Sequence, residues 1–391
     1  MKTTILIIGA GPYGLSLAAY LMHKNIDFLI VGNPLEFWKE NMPDQMLLRS
    51  GYDWHLDPFE KLTFQRYIIE NGPIDIPDPI TKDVFIGYAE WFTTNSQINI
   101  LSKYVNKLSH DGRCFFAILD DGTTIEADYL IIATGLMYFK NQPEDLLKNL
   151  STDLYSHTTD LYSHTIDKTN FDFCKGKVCT IIGGRQSAFE GAQTLLKSGC
   201  KSVNMVYNHD TPDFTASDWK WIDTLTEKFS EDPGWYKSLS RQEKFDIQAK
   251  FWKEGRLKLE PWLSETACSD KVSLWPNRKP ANISYENGNI YLLTDRSELI
   301  ICDYILLATG FKTNIGAIPF LAHSNLIERI QTENSYPVLD KHFQSTFPNL
   351  FFAGFPATQD FGPFFGFTKG AAVFGQILGK YLFNNICASS S

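Results

Sequence analysis

The chain has 391 residues, 43% of them hydrophobic, which is enough for two or three domains with substantial cores and too apolar for a disordered protein. Its formal net charge of −9, with no long lysine and arginine run, excludes nucleic acid as an expected partner, because phosphate neutralisation dominates that affinity. Seven cysteines without a Cys-x-x-Cys pair or metal-ligand spacing exclude a dithiol relay and a metal centre, and fit small apolar thiols in a reducing, cytoplasmic compartment.

The N-terminus opens on Lys2 and an apolar run that imitates a leader peptide. Glycine spacing explains that run better. Residues 5–8 read as a strand buried on both faces, Gly9, Gly11 and Gly14 as a turn with Pro12 and Tyr13 inside it, and residues 15–23 as a helix packed on the sheet. In such a turn glycine lets the backbone approach a pyrophosphate, while the amides at the helix N-terminus supply donors and a positive dipole end. A second strand is expected at residues 28–31. At its end, where an acidic residue usually holds ribose hydroxyls, stands Gly32, so Asn33 or the backbone must take that part. Farther on, ADYLIIATGL at 127–136 reads as a strand that ends in Thr134 and Gly135. No stretch is long and apolar enough to span a bilayer.

A tandem repeat follows, DLYSHTT then DLYSHTI over 153–166, carrying His157 and His164. The strand-turn-helix pattern then recurs in VCTIIGGRQSA at 178–188, with Gly183 and Gly184 in the turn and Gln186 and Ser187 at the helix start. The middle glycine of the spacing is replaced by Arg185, whose side chain either crowds a pyrophosphate or swings outward and clamps it. Another strand is expected at 202–207, followed by Asn208, His209 and Asp210. Residues 210–282 are dense in tryptophan, with charges at helical spacing over 240–263, which predicts amphipathic helices. This insertion is either a cap over a substrate or a subdomain packed on its own half or on a second copy of the chain in a homo-oligomer. CDYILLATGF at 302–311 repeats the second strand signature, and Gly183 precedes Gly310 by almost the same number of residues as Gly9 precedes Gly135. One architectural unit is used twice, which calls for two dinucleotides. The segment NLFFAGFPATQDFGPFFGF closes the pattern at 349–367, and 388–391 read as a loose tail.

GAGPYG, then LEFWKENMP with Trp38, then MLLRSG and TFQRYI at 63–68 resemble class B flavoprotein monooxygenases, in particular amine N-hydroxylases and flavin-containing monooxygenases. The likeness covers nearly the whole chain outside the insertion. It implies an α/β fold of two Rossmann-like dinucleotide-binding domains: an FAD domain over 1–150, an NAD(P)H domain over 151–312 with the helical insertion at about 210–282, and a return to the FAD domain over 313–391. It places Gly9, Gly11, Pro12, Tyr13, Gly14, Trp38, Met46, Arg49, Ser50, Thr134, Gly135, Gly354 and Gly366 on FAD, and Gly183, Gly184, Arg185, Gln186 and Ser187 on the nicotinamide cofactor. Arg49 alone receives a catalytic part, with a surface cation as its other reading. His164 stands near the family's linker histidine, as a cofactor-positioning group or as a histidine bonded to backbone. Relatives that select NADPH put an arginine where Asn208 to Asp210 stand here, so NADPH, NADH and a degenerate site all remain open. The implied activity passes hydride to the flavin, captures O2 as a flavin peroxide and gives one oxygen atom to a small amine or sulfur nucleophile. Two rivals are an NAD(P)H oxidase or reductase without oxygen insertion, and a nucleotide-sensing protein, for which Gly32, Arg185 and Asn208 speak.

Overall fold

The computed structural model describes residues 1–44, 46–71, 79–150 and 161–389; the first copy of the repeat, with His157, and the last two residues of the expected tail lie outside the described residues. Two parallel-cored sheets organise the chain. In the first, Lys2–Ile8 sits between Phe28–Val31 and Thr124–Ile132, parallel to both, and Leu350–Phe352 returns from the far end of the chain to pair in parallel with Thr124–Ile132. Ile5, Leu6 and Ile7 have no exposed surface, as a strand covered on both faces requires. An antiparallel hairpin, Val105–His110 and Phe115–Leu119, extends this sheet.

The second sheet repeats the scheme, in the order Val272–Trp275, Ser202–Val206, Val178–Ile182, Tyr304–Leu307 and Tyr162–His164, all parallel. A separate antiparallel sheet, Pro280–Glu286, Asn289–Thr294 and Leu299–Cys302, accompanies it. The expected α/β architecture of two Rossmann-like halves is therefore present. In each sheet the registers bring strand ends together, Ile8 beside Val31 and Ile132 in one and Ile182 beside Val206 and Leu307 in the other. Ligands of open parallel sheets bind beyond such carboxyl ends.

The insertion differs from expectation in two ways. Val272–Trp275 belongs to the second sheet, so the inserted part ends before it. The helix Arg241–Trp252 has no single apolar face, with Phe251 its one buried residue and Phe245 and Trp252 exposed, and is held by a capping box of Ser240 and Glu243. The amphipathic helix is instead Trp221–Glu231, which buries Ile222, Thr226 and Phe229 at helical spacing. Its Phe229 packs on Phe361, Phe364 and Phe365 of the closing segment, with ring centroids 6.1, 5.7 and 5.3 Å away. Leu259 and Leu263 join the core of the second half, so the insertion ties both halves together. The final helix, Lys369–Ser389, includes the first two residues of the expected loose tail. No helix among the described residues is long and apolar enough to cross a membrane.

Candidate cofactor and substrate site

Both glycine turns open on a single cavity of about 1210 Å³, roofed by the insertion and closed by the residues after Gly354. In the first turn Gly9 adopts φ +118° and lies against the neighbouring strand: a Cβ there would stand 2.3 Å from the Ala133 carbonyl oxygen. Gly14 is packed as closely, its added Cβ 2.0 Å from the Gly9 oxygen. A Cβ on Gly11 would meet nothing within 4 Å, because Gly11 borders the cavity itself. Pro12 begins the helix Pro12–His23, a position that suits its fixed φ and its lack of an N–H.

The two helices that start at the turns share one more property. Helices Phe64–Glu70, Lys82–Asn95 and Arg241–Trp252 are capped by the side chains of Thr63, Thr81 and Ser240. Pro12–His23 and Gln186–Lys197 begin at Gly11 and Arg185 with no side-chain cap, as Trp221–Glu231 also does, but these two start in the cavity wall, where a ligand can take their leading amides. Thr134 Oγ1 is also buried beside the cavity with no partner among the described residues. These open donors, a bare notch and an unused hydroxyl fit a dinucleotide.

Trp38, Met46, Arg49, Ser50, Gly135, Gly354 and Gly366 all line the cavity, as does every residue from Gly183 to Ser187. Tyr13 lines it too, but its hydroxyl is committed to the carbonyls of Phe365 and Phe367, at 2.5 and 2.8 Å, which fastens the first turn to the closing segment.

Arg49 is where structure and expectation part. Its Nε donates to Glu260 at 2.7 Å, Nη1 to the Gly255 carbonyl at 2.9 Å, and Nη2 to Ser217 Oγ and to the Lys258 carbonyl at 3.1 Å. Every acceptor belongs to the insertion. The guanidinium thus clamps the roof to the first half with four of its five N–H groups, and one Nη1 N–H stays at the cavity wall without an acceptor among the described residues.

Arg185 has swung outward, with its guanidinium 3.8 Å from the centroid of the Trp252 ring. This leaves the second notch uncrowded. The tight packing falls to its neighbours: a Cβ on Gly183 would stand 2.4 Å from the Ala308 oxygen and one on Gly184 2.2 Å from the Tyr207 ring. Gln186 joins the clamp, accepting from the Glu260 amide at 3.2 Å and donating to Glu190 Oε1 at 2.8 Å.

Glu190 is a cavity residue that sequence reasoning missed. Its Oε2 is shielded and has no partner among the described residues. Burial pushes its carboxyl up to about 7, against the opposing pull of the Gln186 hydrogen bond and the Arg49 charge. Because the folded value lies above the unfolded one, native stability is greatest when Glu190 is protonated and declines as pH rises from about 4.3 to about 7. Glu190→Gln is therefore expected to gain on the wild type from pH 5 to pH 8, by at most about 3 kcal/mol in urea denaturation. A variant that lost ground at pH 8 would show an ionised, stabilising carboxylate instead.

Gly32 itself has a packing part. Gly32 has φ +137° and packs on the first turn, where a Cβ would lie 3.1 Å from the Ala10 amide nitrogen. A carboxylate, Glu36, stands four residues later at the same wall. Tyr104 donates to Glu36 Oε1 and accepts from Asn33 Nδ2 at 2.6 Å, and all three residues line the cavity. Glu36 was legible only as part of the LEFWKE segment.

His164 ends the edge strand Tyr162–His164, fully buried, with Nε2 3.0 Å from the Gly310 carbonyl oxygen; burial lowers its pKa. It is a neutral histidine donating to backbone. The bond stays within the second half, and Asn141 of the first half crosses to the same loop, donating to the Gly310 and Thr309 carbonyls. Beside Asn208 and His209 the cavity wall also contains Arg278 and Lys279; Arg278 is paired with Glu298 at 2.6 Å, and the Lys279 ammonium has no partner among the described residues. None of the seven cysteines lines the cavity, and no cluster of potential metal ligands occurs among the described residues.

A family profile described as pyridine nucleotide-disulphide oxidoreductase matches residues 6–232, more than half of the chain. A probable indole-3-pyruvate monooxygenase, YUCCA8, of Arabidopsis thaliana is 24% identical over 340 residues, covering 79% of this chain and 75% of that protein. Among solved structures, an ornithine N-hydroxylase of Kutzneria sp. 744 with reduced FAD, NADP+ and L-ornithine superposes with TM-score 0.80 at 14% identity, over 99% of this chain and 100% of that one. The bacillithiol disulfide reductase of Staphylococcus aureus superposes with TM-score 0.65 at 19% identity, over 98% and 99% of the two chains. The likeness to class B flavoprotein monooxygenases read from GAGPYG and LEFWKENMP agrees with the Arabidopsis and Kutzneria proteins, and the paired turns explain why one fold accommodates them all. The chain belongs to the pyridine nucleotide-disulphide oxidoreductase family.

Proposed function

We propose that this protein is an FAD-dependent, NAD(P)H-using monooxygenase that transfers one oxygen atom of O2 to a small nucleophilic substrate, an amine or a sulfur compound. The observation that carries the reading is one cavity shared by two uncapped glycine-turn helices under an aromatic roof, with no cysteine in its wall. FAD, when bound, supplies hydride acceptance and oxygen activation. The residues from Gly9 to Gly14 hold its pyrophosphate, Glu36, Asn33 and Tyr104 its ribose, and Trp38, Met46, Ser50, Thr134, Gly135, Gly354 and Gly366 its remaining surface. Gly183 to Ser187 hold the nicotinamide cofactor. Trp54, Trp219 and Phe367, whose ring centroids lie 6.0–6.4 Å apart, keep water from the chamber between the two.

Incubation with 18O2, NADPH and a panel of amines and sulfides tests the claim: labelled product supports it, and hydrogen peroxide accounting for all oxygen consumed removes it. That second outcome would establish the rival oxidase or reductase, which the fold shared with the S. aureus reductase favours. Lys279 supplies the cation that the strand end lacks and selects NADPH. Lys279→Ala is expected to raise the KM for NADPH roughly tenfold and leave that for NADH unchanged. Equal changes for both cofactors would remove Lys279 from the 2′-phosphate.

A further inference from the structure

Three arginines meet where the insertion roofs the second glycine turn. Arg49 is neutralised by Glu260 at 2.7 Å. Arg185 lies on the Trp252 ring without a carboxylate partner among the described residues. Arg256 sits in a π-helical turn, Lys253–Leu257, directly after the Gly255 carbonyl that accepts from Arg49. It lines the cavity and has neither a hydrogen bond nor an ion pair among the described residues. Burial, and then the charges of Arg185 and Arg49, push its pKa down to about 10, so it stays protonated at neutral pH while crowded by like charge.

The acids nearby do not answer it. Glu254 is held by Lys258 at 2.7 Å, Glu260 by Arg49, and the Glu190 carboxyl is pushed up to about 7, which leaves it half protonated near neutrality. Two guanidinium charges are thus left without a carboxylate in a half-buried wall, where an oxyanion would relieve their mutual repulsion. Guanidinium donors in a fixed fork match the paired oxygens of a carboxylate or a phosphate.

We propose that Arg256, backed by Arg185, is an anion subsite of the cavity that receives a carboxylate or phosphate group of the molecule entering between the second glycine turn and the insertion. Two sources share this chemistry, the dinucleotide's pyrophosphate and a carboxylate carried by the substrate. The inference rests on the reading of this cavity as the cofactor and substrate chamber and adds to it the charge of what enters.

The test titrates the flavin-loaded protein with inorganic pyrophosphate, glutarate and NADP+ at constant ionic strength, following tryptophan fluorescence, which Trp252 under Arg185 reports, and the melting temperature. Wild type is expected to be stabilised by pyrophosphate or glutarate. Arg256→Gln should weaken that binding at least tenfold and Arg256→Lys should restore part of it. Without added anion Arg256→Gln should melt no lower than wild type, since it removes an unpaired cation. Competition of pyrophosphate with NADP+ assigns the site to the dinucleotide; binding of glutarate together with NADP+ assigns it to the substrate. A wild type that responds to neither pyrophosphate nor glutarate, whatever it does with NADP+, or an Arg256→Gln protein that responds to them as wild type does, overturns the inference. A colourless protein that refuses FAD counts against the proposed function, and the anion response can still be read on it.

Discussion

Replacing Gly11 with valine is expected to give a folded protein that holds no flavin. Gly11 is the N-cap of Pro12–His23 at φ −91°, a conformation open to valine, and its added Cβ would meet no atom within 4 Å. The branches would therefore enter the cavity and leave the core intact. FAD retention should fall by about 100-fold or more, equivalent to roughly 3 kcal/mol, with the melting temperature of the flavin-free protein little changed. Gly9→Ala and Gly14→Ala provide the contrast. Their Cβ atoms would stand 2.3 and 2.0 Å from carbonyl oxygens, so both should destabilise the fold itself. A yellow, active Gly11→Val protein would contradict the placement of the pyrophosphate.

Removal of the Arg49 guanidinium is expected to loosen the roof. Arg49 and Glu260 are only 14% and 10% exposed, and Arg49→Met would strand the Glu260 carboxylate in a desolvated position. Breaking one partner of such a pair costs about 3–5 kcal/mol, measurable by chemical denaturation. Arg49→Lys keeps the charge but loses the fork that spans Glu260, Gly255, Ser217 and Lys258, so it should recover only part of that loss. A catalytic cation would behave oppositely, with turnover lost at unchanged stability.

The glycine turns were legible because they are local: strand, bare notch and helix start lie within ten residues, and the same sterics act twice. The paired strands ending in Thr134–Gly135 and Thr309–Gly310 were legible for the same reason. What escaped was set by contacts far apart in sequence. Nothing near Arg49 announces acceptors at Ser217, Gly255 and Glu260, and nothing near Arg185 announces Trp252. Glu36 escaped because position 32, the usual place of an acid, is a glycine packed on the first turn, and nothing local ties Glu36 to Tyr104. The helix Arg241–Trp252 misled because its aromatics suggested a buried face, whereas Phe245 and Trp252 are exposed.

The visible absorbance spectrum of the purified protein, recorded without oxygen before and after each nicotinamide, tests the central claim most directly. The account predicts a stoichiometric FAD that NADPH or NADH bleaches. A colourless protein that also refuses added FAD would contradict it.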